Sequence, residues 1–157
     1  MAYALDGLRV LDLSRVLAGP WATQLLGDLG AEIIKIEHPV RGDDTRSWGP
    51  PFQFGEDGDT REASYFLSAN RNKKSVCVDI STEAGQSVIR ELSASSDVLV
   101  ENFKTGTLEK YSQTYQPPSY LLFHNRLWPD GPLCRPARIR PVDSGNGRSD
   151  ERHGRSR

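Results

Sequence analysis

Three short stretches of this chain carry side chains whose types and spacing could do chemistry. Residues 70–75, Asn-Arg-Asn-Lys-Lys-Ser, set three cations, Arg71, Lys73 and Lys74, before a β-type run. Such a cluster attracts phosphate groups, diphosphates above all, although a solvated turn has the same composition. Residues 101–103, Glu-Asn-Phe, join an amide to an aromatic face at the end of another apolar run. That pairing suits stacking on a purine and hydrogen bonding to it, and a core phenylalanine equally well. Residues 14–19, Ser-Arg-Val-Leu-Ala-Gly, follow the first apolar run, where backbone amides can meet a ligand. A tight connector is the plain alternative. The glycines do not follow G-x-G-x-x-G, so glycine spacing carries no claim of a dinucleotide fold.

Several other groupings nominate nothing. Asp43, Asp44 and Arg46 read as a local ion pair. His38 has no evident metal partner, and no His/Cys/Asp spacing fits zinc. There is no Ser-His-Asp order and no Cys-His pairing. The chain therefore offers candidate binding residues and no catalytic or metal-ligating ones.

These stretches need a scaffold, and the hydrophobic pattern supplies one. Residues 8–13 read as a first strand. Pro20 suits the first turn of a helix running to about residue 29, and Gly30 stops it. Leu25, Leu26 and Leu29 fall at helical spacing and are expected to pack on the sheet. Residues 32–37 form a second strand ended by Pro39, and residues 38–58 are loop-rich. A short helix is expected over 64–69 and a third strand over 74–80. Thr82 can cap a helix through residue 92, with Val88, Ile89 and Leu92 on one face. A fourth strand covers 98–100, and Gly106 opens another helix reaching Lys110. Strands alternating with helices give an α/β fold: a partial Rossmann-like parallel sheet with right-handed crossover helices.

Composition divides the chain in two. Residues 1–111 have the order of a globular α/β protein, whereas from Gln116 onward Pro, Arg, Gly, Ser and Asp dominate and no Lys follows Lys110. Residues 112–157 are expected to be a disordered tail. A formal net charge of −1 gives no bias toward nucleic acid or membrane. Cys77 and Cys134 make no disulfide framework, which fits a reducing compartment. No apolar run approaches a membrane span, and no signal peptide or Arg-rich presequence is visible. The expectation is a soluble protein of the cytoplasm or mitochondrial matrix.

In order and spacing, four segments resemble the class III CoA-transferases, the formyl-CoA and succinyl-CoA:dicarboxylate type. They are LDGLRVLDLSRVLAGPWATQLLGDLGAEIIKIEHP, GDDTRSWGPPF, YFLSANRNKKSVCVDI and DVLVENFKTGTLEKY. The resemblance covers residues 1–111, roughly the first quarter of a typical member. RNKKS and GDDTRSWGPP look most like the succinyl-CoA:glutarate (hydroxymethylglutarate) branch. The resemblance implies coenzyme A or acyl-CoA as substrate rather than a tightly bound cofactor, a small carboxylic acid as acceptor, and an interlocked homodimer. It implies that Val16 and Ala18 line the CoA site. Asn72, Lys73 and Lys74 would meet phosphates, Asn102 and Phe103 would hold the nucleotide end, and Lys110 would contact phosphate. His38 stands where some members have Arg.

Members of that family use an Asp as a covalent nucleophile, passing through a mixed anhydride and an enzyme-bound CoA thioester. It follows a Gly-Tyr-Gly-Gln-Thr-Gly-Pro segment, in a context like Arg-Pro-Gly-Tyr-Asp. Neither motif occurs in this sequence. Yet one choice of codons for residues 126–132, read one base later, spells Gly-Tyr-Gly-Gln-Thr-Gly-Pro. The same offset turns residues 119–125 into Val-Ile-Tyr-Cys-Ser-Ile-Thr and residues 136–141 into Arg-Pro-Gly-Tyr-Asp-Pro. The reading is a frameshift or misplaced splice junction between Tyr111 and Ser119, which leaves a truncated, catalytically incompetent enzyme. Two alternatives differ in class. One is a CoA- or nucleotide-binding module without chemistry. The other is an Arg-rich tail binding nucleic acid, against which stand the interleaved Asp130, Asp143, Asp150 and Glu151.

Overall fold

A row of β-branched and leucine side chains is what the centre of this molecule is built from. The computed structural model describes residues 2–58, 60–104, 107 and 120–123. Its main sheet holds five parallel strands in the order β5-β2-β1-β6-β7. They are β1 (Arg9–Asp12), β2 (Glu32–Glu37), β5 (Lys73–Cys77), β6 (Val98–Glu101) and β7 (Tyr120–Phe123). Helix α1 (Ala18–Asp28) links β1 to β2, and α3 (Glu83–Ala94) links β5 to β6. Between β2 and β5 lie a 3-10 turn (Asp44–Ser47), an antiparallel hairpin of β3 (Phe52–Phe54) and β4 (Arg61–Ala63), and α2 (Ser64–Asn70).

Register decides what each face of the sheet carries. Val10 lies beside Ile33 and Val98, and these pack with Ala31, Val100 and Leu26 of α1. Leu11 lies beside Ile34 and Leu99 on the opposite face, which packs with Ile89 and Leu92 of α3. Both faces of the central strands β1, β2 and β6 are covered, as is usual in a parallel sheet, whose central strands read as apolar runs, whereas β5 is largely exposed. Two rows further along, Asp12 lies beside Lys35, and Lys35 beside Ser75. The α1 face therefore turns polar toward the carboxyl ends of its strands.

The expected elements are present with shifted edges. Strand β5 starts at Lys73 and ends at Cys77, short of the expected residue 80. The hairpin lies within the stretch read as loop, where Phe52 and Phe54 are separated from Arg61 by turn-forming residues. Thr82 does cap α3, its hydroxyl accepting the Gly85 N–H at 3.1 Å. The inward stripe of α1 differs from the expected leucines. Pro20, Thr23 and Gln24 are buried, whereas Leu25 and Leu29 are exposed. Helix and sheet approach closely at Gly27, where a Cβ would stand 3.1 Å from Ile33. That small and polar stripe turns Leu25 and Leu29 to solvent. Val88 is likewise exposed beside Ile89.

Within the segment read as a tail, Tyr120–Phe123 pair in parallel with Val98–Glu101. Strand β6 offers a free edge of N–H and C=O groups there, and an apolar Tyr-Leu-Leu-Phe run suits it. The helix expected from Gly106 to Lys110 lies outside the described residues apart from Thr107. Among the described residues, no helix is long and apolar enough to cross a membrane.

Candidate functional site at the carboxyl edge of the sheet

At the end of β1 the chain turns sharply into α1, and the side chains of Asp12, Lys35, Asp43 and Asn102 hold every polar backbone group of the turn from the Ser14 N–H to the Val16 N–H. The Ser14 N–H donates to Asp12 at 3.0 Å, and the Ser14 carbonyl accepts from Lys35 Nζ at 2.9 Å. The Arg15 N–H donates to Asn102 Oδ1 at 2.9 Å, while Asn102 Nδ2 donates to the Arg15 carbonyl at 2.7 Å. The Val16 N–H is shared by the two Asp43 oxygens at 3.3 Å. Val16 has φ of +70°, a left-handed conformation that a β-branched residue adopts only under outside constraint. Gly19 follows because α1 begins hard against the turn: a Cβ there would come within 2.4 Å of the Ser14 Cβ. The α1 N-cap, Leu17, makes no side-chain hydrogen bond, and the first turn holds no acidic residue. Its positive dipole end thus has no acidic residue of its own first turn beside it.

Beneath the turn lies a buried ionic layer. Asp12 accepts from the Ser14 hydroxyl, from the Thr23 hydroxyl at 2.6 Å and from Lys73 Nζ at 3.1 Å. Lys73 Nζ also donates to the Pro20 carbonyl at 2.7 Å and to Asn70 Oδ1 at 3.0 Å, which uses all three of its hydrogens. Burial pulls the Lys73 ammonium down to about 8, against the raising effect of Asp12. Lys35 and Asp43 form a second pair at 2.9 Å with both side chains almost wholly buried. Burial raises the Asp43 carboxyl, but Lys35 and Thr45 outweigh it and leave it below its ordinary value. Glu37 takes a bidentate Arg46, which also grips Glu62 and lies over the Phe66 ring, 3.6 Å from its centre. No buried side-chain N or O among the described residues lacks a partner, as such a layer requires.

The structure gathers part of the expected CoA site and separates the rest. Val16, Ala18, Asn102 and Phe103 meet at the carboxyl edge around Arg15, whose guanidinium lies 5.6 Å from the Phe103 ring centre. His38 ends β2 on the same edge, its Nδ1 accepting the Val40 N–H at 3.1 Å. Lys73 is not ligand-facing but is buried under the turn. Lys74 is exposed beside Glu32, with Nζ at 2.6 Å, at the opposite, amino edge of the sheet. Asn72 holds Asp28 at the end of α1, as Arg71 does. Lys110 lies outside the described residues. The cation cluster is therefore divided three ways, because alternate residues of a strand face opposite sides. A further correction concerns the turn: its amides through Val16 are consumed internally and do not await a ligand. Arg15 and Lys35 are not marked by the sequence, and the local ion pair expected of Asp43, Asp44 and Arg46 is not formed: Asp43 pairs with Lys35, and Arg46 with Glu37 and Glu62. Lys35 offered one signal, a lone cation inside the apolar run Glu-Ile-Ile-Lys-Ile-Glu. Glu101 is buried with its carboxylate accepting the Phe103 N–H at 2.6 Å, and burial pushes its carboxyl up against that bond. Among the described residues, no group of three or more His, Cys, Asp or Glu could hold a metal.

A parallel sheet covered on both faces, with a braced turn at its carboxyl edge, defines an α/β protein of the kind that binds ligands at that edge. The chain belongs to CoA-transferase family III, whose family model matches residues 5–118. It is 54% identical over 112 residues to a succinyl-CoA:glutarate CoA-transferase of Mus musculus, covering 71% of this chain and 24% of that protein. It is 49% identical over 112 residues to a succinate–glutarate CoA-transferase of Agrobacterium fabrum, covering 71% and 28%. A CAIB/BAIF family protein from Brucella suis superposes with a TM-score of 0.71 at 46% identity, covering 80% of this chain and 33% of that one. This chain thus spans about a quarter of the length of the curated relatives it matches.

Proposed function

We propose that this chain is the amino-terminal part of a CoA-transferase that moves CoA from an acyl-CoA, such as succinyl-CoA, to a small carboxylic acid. The observation that carries this reading is the 54% identity to a succinyl-CoA:glutarate CoA-transferase across the segment that builds the braced turn and its rim. In this reading Val16 and Ala18 form the wall of the CoA site and Asn102 and Phe103 its nucleotide end. Phosphate groups fall to the α1 amino end, with His38 and Lys110 as further contacts and Lys73 as a buried support, while Asn72 and Lys74 sit at the opposite edge and take no part. The intact protein works as an interlocked homodimer. Its nucleophilic Asp, which would carry the anhydride and thioester intermediates, belongs to a segment this sequence does not contain. The chain is then expected to bind CoA without transferring it. Calorimetric titration of the full 157-residue chain with CoA, paired with a succinyl-CoA:glutarate exchange assay, tests this. Binding without turnover is the expected result, and the absence of any binding heat would refute the reading.

The division of the chain at residues 111–112 belongs to the same proposal. The family match stops at residue 118, inside the window where the reading frame is inferred to slip. Strand β7 falls within residues 119–125, for which one choice of codons in the offset frame reads Val-Ile-Tyr-Cys-Ser-Ile-Thr. The nucleophile's codon would straddle those of Arg140 and Pro141. Sequencing the transcript across codons 111–141 decides it, and an offset frame lacking Gly-Tyr-Gly-Gln-Thr-Gly-Pro would end the idea.

A further inference from the structure

The braced turn leaves one strong hydrogen-bonding group facing outward. From Ser14 to Val16 the backbone is spoken for by Asp12, Lys35, Asn102 and Asp43. Arg41 and Lys104 lie beyond the turn, on the segments that follow β2 and β6, and the cations of the buried layer beneath it are engaged. Lys73 is held by Asp12, Lys35 by Asp43, and Arg46 by Glu37 and Glu62. Arg15 differs. Among the described residues its guanidinium has no carboxylate partner, and its one described contact is the face of Phe103. Its backbone, meanwhile, is fixed at both polar atoms by a single amide 87 residues away. A guanidinium resting over a ring, with no carboxylate partner, keeps N–H groups for an anion and gives up less side-chain entropy when it meets one.

We propose that Arg15 is the oxyanion-contacting side chain of this rim, with Asn102 and Phe103 acting on the ligand through it as positioning residues. The ligand chemistry is a phosphate or carboxylate that accepts two parallel N–H bonds from the guanidinium. An acyl-CoA of a dicarboxylic acid carries both groups, so the assignment rests on the acyl-CoA reading above. It reverses the part expected of Asn102, whose amide oxygen and nitrogen are both committed to Arg15 rather than left for a nucleotide.

The test is calorimetric titration of the full chain with CoA and, separately, with glutarate, on wild type, Arg15→Gln, Arg15→Lys, Asn102→Ala and the Arg15→Gln/Asn102→Ala double variant. Arg15→Gln is expected to weaken at least one probe by about ten-fold or more, the scale of one charge-assisted bidentate contact. Arg15→Lys should recover part of that loss. A loss confined to CoA assigns the phosphate, and a loss confined to glutarate assigns the carboxylate. Asn102→Ala should weaken the same probe, yet add nothing in the Arg15→Gln background, a non-additivity that a merely structural role would not produce. If wild type binds and Arg15→Gln binds both probes equally well, the assignment falls and the acyl-CoA reading stands. If wild type binds neither probe, both fall.

Discussion

Glu37 gathers four hydrogen bonds in the buried layer. It accepts from Arg46 Nε and Nη2, from the Ser75 hydroxyl and from the Asp43 N–H. Burial alone would raise its carboxyl, but these donors outweigh burial and bring it from 4.5 to about 2. Because the folded value lies below the unfolded one, the stabilisation is complete above about pH 4.5 and disappears as pH falls through about 2. Its size is about 3 kcal/mol. Urea unfolding at a series of acidic pH values should show that loss, and Glu37→Gln should flatten the slope over the same interval. An unchanged slope in the variant would place the acid sensitivity elsewhere, with Asp43 the next candidate. At this scale the sequence was legible only in part. Asn102 and Phe103 could be located because they end a strand, and strand ends of a parallel sheet share one edge. The depth of Lys73 could not, because the flanking residues Arg71, Asn72 and Lys74 are all polar and give a buried cation the same surroundings as an exposed one.

Elements behave more predictably than side chains. Strand β2 runs over Glu32–Glu37, the span its apolar pattern marks, and α3 starts behind the threonine that caps it. Thr82→Ala should therefore cost about 1 kcal/mol, read as a lower urea midpoint with an unchanged denaturant slope. Helix α1 shows where pattern reading fails. Its leucines have the right spacing for an apolar stripe, but the close approach at Gly27 and the polar layer under the turn require small and hydrogen-bonding residues inward. Gln24 illustrates the demand: it is buried, donates to the Ser68 carbonyl and accepts the Arg71 N–H, thereby joining α1 to α2. The β3–β4 hairpin was hidden for a different reason. Its three-residue strands are too short for alternation to register, and Phe54 faces solvent.

On the scale of the molecule, the described surface carries more exposed apolar area than scattered residues account for. Trp21, Leu25 and Leu29 lie at helical spacing on the outer side of α1, and Tyr65 and Leu67 are exposed on α2. Among the described residues, no strand neighbours the outer edge of β5. Contiguous patches and open edges of this kind mark surfaces built to be covered. They fit a chain that spans about a quarter of the length of its curated relatives. The double clasp of Asn102 on Arg15 has one more consequence. It joins the first strand's exit to the fourth parallel strand's exit across 87 residues, using a single amide hydrogen whose environment exists only when both strands are in place. The Arg15 amide resonance is thus a natural spectroscopic reporter: one peak whose position tells whether β1 and β6 have docked side by side.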